Sequence, residues 1–161
     1  MKRITLSATC LMASVGLVSA AEVAPENVEY DEYGAVAVSL SGTAGDAAAG
    51  RVVVSTKSQG NCVSCHAISE LAEEVPFHGE VGPPLDGVAD RWGEAEIRGI
   101  VANAKITYDG TIMPSFYKTT GYIRPGDAYT GKAATTDTLP PLLTSQQIED
   151  VVAYLMTLKE E

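Results

Sequence analysis

The stretch "GNCVSCHAIS" at residues 60–69 constrains this chain more than any other, because it puts two cysteines and a histidine within five positions. Cys62, Cys65 and His66 can in principle hold a metal, form a disulfide or attach a haem. Structural zinc takes four ligands, usually from a second C-x-x-C or a distant histidine pair. Here His78 is the only other histidine, and no second cysteine pair follows. A redox-active C-x-x-C belongs to a strand-helix context and gives no reason for a histidine directly after it. In C-x-x-C-H the spacing has a purpose. Two thiols about one helical turn apart can form thioethers to the two vinyl groups of one haem, and the next imidazole then faces the iron. The pattern therefore predicts a single covalent haem c with His66 as an iron ligand.

The start of the chain fits that chemistry. Lys2 and Arg3 precede a mostly apolar run from Ile4 to Val18, and Val18-Ser19-Ala20 offers a small-residue cleavage site. That order reads as a signal peptide over 1–20, too short for a membrane span, so no span is expected after processing. Cys10 lies within the apolar run and is expected to be discarded with it. The remaining chain is long enough for one domain with its own core. Without Lys2 and Arg3 the formal charge of −10 becomes about −12. Such a surface repels nucleic acid and anionic lipid, which excludes both as expected partners. Two cysteines this close together also make a poor disulfide framework.

A haem iron asks for a second axial ligand, and three side chains compete for the position. Met113 sits in "DGTIMPSFY", where Gly110 and Pro114 favour a rigid turn over a helix face. A thioether in such a loop, far along the chain from His66, can close over the opposite side of the ring. Met156 falls in the last helical stretch and reads as packing or partly exposed surface. His78 follows His66 too closely to cross comfortably to the other haem face, and reads as a loop histidine bonded to backbone. The expected iron ligands are thus His66 and Met113. That pair leaves no open site and favours ferrous iron over a bis-imidazole pair, which suits single-electron transfer.

Around this site the chain divides into simple pieces. Residues 21–42 form an acidic arm with a short alternation of Val36, Val38 and Leu40, either a flexible tail or a strap across the domain. Asp46 or Thr43 can cap a first helix running to about Thr56, with Gly50 inside it at a cost of about 1 kcal/mol relative to alanine. Such a glycine often marks a close helix crossing. Residues 67–92 read mainly as loop, stiffened by Gly82-Pro83-Pro84-Leu85, from which a backbone carbonyl can accept the His66 Nδ1 proton. "GEAEIRGIVANA" gives a helix with Ile97, Ile100 and Val101 as its stripe. A long stretch, 115–143, carries Tyr117, Tyr122, Tyr129 and several prolines, and loops of that length are often functional. Last comes the clearest element. Thr144 and Gln147 make a capping box, Leu143 and Ile148 a hydrophobic staple, and Ile148, Val151, Val152 and Leu155 one apolar face. Crossing this helix over the first at Gly50 predicts a cost of about 1–3 kcal/mol for Gly50→Leu.

In this order, the Gly50 helix, the haem motif, "GPPL", the Met-Pro loop and the final "AYLMTL" helix, the chain resembles the class I cytochromes c. That resemblance implies an all-α fold with crossing N- and C-terminal helices and long loops over residues 43–161. It places the carbonyl that orients the axial histidine on Pro83, a ring-packing leucine on Leu85, and the helix-crossing pair on Gly50 and Tyr154. The longer strings "FHGEVGPPLDGVADRW", "IMPSFY" and "LTSQQIEDVVAYLMTLK" are similar to the SoxX family, monohaem subunits of SoxAX complexes. The similarity runs over most of residues 44–160, while "AYTGKAATTDTLPPL" is longer than the family pattern and the arm is poorly matched.

This second resemblance implies a periplasmic subunit paired as a heterodimer with a SoxA-like haem protein. The complex would act as an L-cysteine S-thiosulfotransferase, coupling thiosulfate to a cysteine of the carrier SoxYZ, with electrons leaving for a cytochrome or oxidase. With Cys62 and Cys65 committed to haem, no thiol would remain for sulfur chemistry on this chain, so no catalytic residue is expected. A free-standing periplasmic electron shuttle is the competing expectation. A sensory or structural haem module with an exposed iron is a third.

Overall fold

The computed structural model describes residues 21–126, 130–136 and 138–160, so the expected signal peptide, with Cys10, and Tyr129 lie outside the described residues. Two helices that are far apart in sequence form its frame. The first, α1 (Ala47–Ser55), starts where the Asp46 carboxylate accepts from the backbone of Ala48 at 2.8 Å. The final helix, α4 (Ser145–Leu155), begins with the expected reciprocal cap. Gln147 N–H donates to Thr144 Oγ1 at 3.2 Å, and Thr144 N–H donates to Gln147 Oε1 at 2.9 Å. Each bond satisfies a donor that the first helical turn would otherwise leave unpaired. Val53 and Val54 of α1 are buried with Ile148, Val151, Val152, Tyr154 and Leu155 of α4.

Their contact runs through Gly50. A Cβ built on this residue would lie 1.9 Å from the Asp150 carbonyl oxygen and 2.9 Å from Tyr154 Cβ. The crossing places Gly50 against Tyr154, as the resemblance implied. The backbones approach so closely that no side chain fits between them.

Two further helices fill the middle of the chain, α2 (Val88–Arg91) and α3 (Glu94–Thr107). With a 3-10 turn at Ser69–Leu71, α2 gives regular structure to a stretch that reads as loop in the sequence. At the start of α3, Gly93 N–H donates to Glu96 Oε2 at 2.7 Å. Ile97 and Val101 are buried as expected, Ile100 only partly, and Ala102 and Ala104 complete the inward face. The helix breaks at Asn103, whose backbone is extended (φ −156°, ψ 84°).

The acidic arm is a strap rather than a tail. Val36 and Leu40 are buried while Val38 points outward, which is the alternation visible in the sequence. Its backbone is held by partners from three other regions. Val36 N–H donates to Ala95 O at 2.9 Å, Leu40 N–H to Glu149 Oε1 at 2.7 Å, and Tyr117 Oη–H to Val23 O at 2.8 Å. Beneath it lies a buried ion pair, Arg98 Nε to Glu149 Oε1 at 3.0 Å, and the same guanidinium donates to Val36 O at 2.9 Å. Both charged residues are 4% exposed. Among the described residues the only β pairing is an isolated bridge between Gly126 and Ala133, so the architecture is all-α as expected. In the stretch 115–143, Phe116 and Tyr117 join the core while Ile123 is almost fully exposed.

Candidate haem site

The motif folds as a tight turn. Asn61 adopts a left-handed conformation (φ 50°) and starts a 3-10 turn over Cys62–Ser64. Cys65 and His66 then both donate their N–H groups to Cys62 O, at 3.0 and 2.9 Å. This brings the two thiols and the imidazole onto one turn of backbone, pinned from below by buried Val63 and Ile68. Cys62 and Cys65 are both free and half-buried. Burial pushes the Cys62 thiol up to about 12.

A second segment is zipped against this turn. Gly79 N–H donates to Val63 O at 2.8 Å, Gly82 N–H to Cys65 O at 2.8 Å, and Leu85 N–H to Ala67 O at 2.9 Å. The Asp86 carboxylate takes both the N–H and the hydroxyl of Ser69, at 2.9 and 3.0 Å. From α2, Arg91 donates to Asp86 O at 2.7 Å and to Pro84 O at 2.8 Å. The outcome is a fixed carbonyl, Pro83 O, lying 2.7 Å from His66 Nδ1. A carbonyl can only accept, so Nδ1 carries the proton and Nε2 keeps its lone pair. That is the tautomer an iron ligand requires. The imidazole also lies against the bare backbone of Gly82, where a Cβ would fall 2.2 Å from His66 Cε1. Glycine is what allows the ring to sit there.

The other candidates fall where the sequence reading put them. His78 accepts the Ile68 N–H through Nδ1 at 3.4 Å. Its own proton is therefore on Nε2, which is buried without a partner, so in this tautomer His78 offers no lone pair to a metal. Met156 caps α4 and lines a groove under the strap with Ser39, Arg98 and Glu149. Met113 is half-buried in the loop after α3 and packs against the same apolar cluster as Cys62, Val63 and Leu85. Its N–H donates to Thr111 Oγ1 at 3.2 Å.

These residues fit a covalent haem. Two free thiols share one turn, the imidazole is aimed by its backbone acceptor, and a thioether and a leucine lie on the same apolar cluster. Sequence reasoning missed Arg91, which donates to the carbonyls of Pro84 and Asp86 just after Pro83, and Asp86, whose carboxylate accepts from the N–H and hydroxyl of Ser69. Most of these partners are backbone atoms, which leave no mark on residue type. It also missed Lys105, eight residues before Met113, which donates to Thr111 O at 2.8 Å and to Met113 O at 3.0 Å. A lysine in the last turn of a helix was the available signal, though it reads first as a partner for the helix dipole.

Comparison with known proteins gives the family of the chain. The family described as Cytochrome c matches residues 47–159, a span that includes the motif turn, Met113 and both crossing helices. A solved chain from SoxXA of P. pantotrophus is 54% identical, superposes with a TM-score of 0.82, and covers 87% of this chain and 100% of its own length. No curated protein matches. Haem c bound through a C-x-x-C-H motif is what this family carries. The chain belongs to the cytochrome c family, as a member of its SoxX type.

Proposed function

We propose that this chain is the electron-transfer subunit of a periplasmic thiosulfate-oxidising complex, working beside a SoxA-like haem protein. The carrying observation is its 54% identity over the full length of a chain from SoxXA. The haem, when bound, supplies a one-electron ferric/ferrous couple. Cys62 and Cys65 would hold it through thioethers, with Leu85 beside it. His66, kept in its Nδ1–H tautomer by Pro83 O, would be one iron ligand. Met113 would be the other, its thioether favouring the ferrous state.

With His66 and Met113 both holding the iron, the centre would pass electrons without offering a place for substrate. The two motif thiols are consumed by attachment, so bond-making on sulfur belongs to the partner and the carrier SoxYZ. Electrons then leave for a cytochrome or oxidase. The positive start and apolar run of residues 1–20 support export as a cleaved signal peptide, leaving the strap 21–42 and the domain 43–161.

The test is reconstitution. Purified ferric holoprotein is mixed with its SoxA-like partner, the SoxYZ carrier and thiosulfate, and reduction is followed at the haem. The expected result is a stable heterodimer whose haem is reduced only when thiosulfate and the carrier are both present. A chain that runs alone at its own mass and stays ferric under those conditions would contradict the proposal and favour a free-standing shuttle.

A further inference from the structure

The end of α3 is built differently from the ends of α1 and α4, and the difference is directed at one loop. In a continuous α-helix the carbonyl of Ala102 would accept from residue 106. The break at Asn103 releases it, and Tyr117 N–H takes it instead at 3.0 Å. The Asn103 side chain accepts from the Ser115 hydroxyl at 2.5 Å. Two residues on, the Lys105 ammonium donates to two carbonyls at once, those of Thr111 and Met113. Three consecutive anchors thus run from α3 to the loop on both sides of Met113. Ser115 and Tyr117 are buried, whereas Lys105 is exposed. The outer anchors are therefore part of the core. Of the anchors from α3, only the lysine reaches the backbone of Met113 itself, whose N–H is already held within the loop by Thr111 Oγ1.

We infer that Lys105 is a positioning residue for Met113: its ammonium bridges the Thr111 and Met113 carbonyls and keeps the thioether from swinging out. This rests on the reading of Met113 as an iron ligand. The physical argument is one of geometry. The loop 109–114 contains Gly110 with φ +74° and no neighbour within 4 Å of an added Cβ, so the loop has room to hinge there. A hydrogen bond with a charged donor is stronger than a neutral one. A donor shared by two carbonyls on the far side of that glycine closes the hinge.

The experiment uses the ferric holoprotein and imidazole as an external ligand, which can bind iron only after the protein thioether has left. Wild type, Lys105→Met, Lys105→Arg and Met113→Ala are compared by the sulfur-to-iron charge-transfer absorption and by the rate of imidazole binding. Lys105→Met is expected to keep the absorption but bind imidazole about tenfold faster, the scale of losing one charged hydrogen bond. Lys105→Arg keeps the charge and the donors and is expected to return the rate close to that of wild type.

If Lys105→Met binds imidazole at the wild-type rate while its urea midpoint falls, the lysine serves only the helix end and the inference is overturned. If wild type itself lacks the absorption and behaves as Met113→Ala does, the ligand assignment is what fails, and the inference goes with it. Should Lys105→Met not assemble, Ser115→Ala with Lys105→Gln in turn separate the buried anchor from the exposed one. Faster exchange only in the lysine variant supports the inference, and faster exchange only in the serine variant overturns it.

Discussion

Replacing Glu149 with leucine is expected to destabilise the protein by about 3–5 kcal/mol, the cost of stranding a buried charge. The Arg98 guanidinium beside it is 4% exposed and donates to Glu149 through Nε and to the strap through Val36 O. Burial works against its charge, and the hydrogen bonds and charges of Glu149 and Glu94 outweigh that effect and hold it protonated. Glu94 is largely exposed, so it cannot take over for Glu149 once the latter is gone. The same substitution removes the acceptor of Leu40 N–H, so the strap should loosen where it crosses α4. Urea unfolding followed by circular dichroism measures the loss. Hydrogen exchange at Leu40 and Val36 locates it. A double replacement, Arg98→Met with Glu149→Leu, should recover part of the stability, because no charge is then stranded, while the loss from unpaired Leu40 N–H and Val36 O remains. A single variant within about 1 kcal/mol of wild type would mean the pair is solvated and the strap held by apolar contacts alone.

Gly50→Leu is expected to be comparably damaging, at about 3–5 kcal/mol, above the range for ordinary overpacking. The reason is that the obstacle is backbone. The Asp150 carbonyl oxygen would lie 1.9 Å from the new Cβ, and a helix backbone cannot rotate aside as a side chain can. Either α1 and α4 move apart, exposing Val53, Val54, Ile148 and Val151, or the variant fails to close around its core. Gly50→Ala already meets the same carbonyl and should fall between wild type and leucine, even though alanine is the better helix former by about 1 kcal/mol. Stability ordered Gly50, then alanine, then leucine in a urea series supports the crossing. An alanine variant more stable than wild type would show that helix propensity, not close approach, governs this position.

What the sequence made legible was local. The capping box at Thr144 and Gln147 and the C-x-x-C-H turn each depend on residues a few positions apart, so pattern alone located them, and it narrowed the first cap to Thr43 or Asp46, of which Asp46 is the one used. Gly50 was readable because glycine inside an otherwise good helix needs a reason. Glu149 and Asp150 were not, since acidic residues next to an apolar stripe normally face water. Here their partners are distant: Glu149 meets Arg98 and the backbone of Leu40, while Asp150 accepts from Asp46 N–H at 2.9 Å. The strap was ambiguous for the same reason, its anchors lying in α3, α4 and the segment after Met113. Around the iron site, the side chains expected to touch haem were visible by type. Of the residues that aim them, Arg91 and Lys105 act on carbonyls and Asp86 on the N–H and hydroxyl of Ser69, and a backbone group looks the same in every residue. The break at Asn103 carried no proline or glycine to announce it.

The proposed function requires a covalent haem whose iron would be held by His66 and by Met113. The most direct measurement is the absorption of the purified ferric protein, wild type against Met113→Ala, with the haem checked to remain attached after denaturation. The account predicts a sulfur-to-iron charge-transfer band in wild type and none in the variant, with haem bound covalently in both. A band of equal strength in the Met113→Ala protein would contradict it.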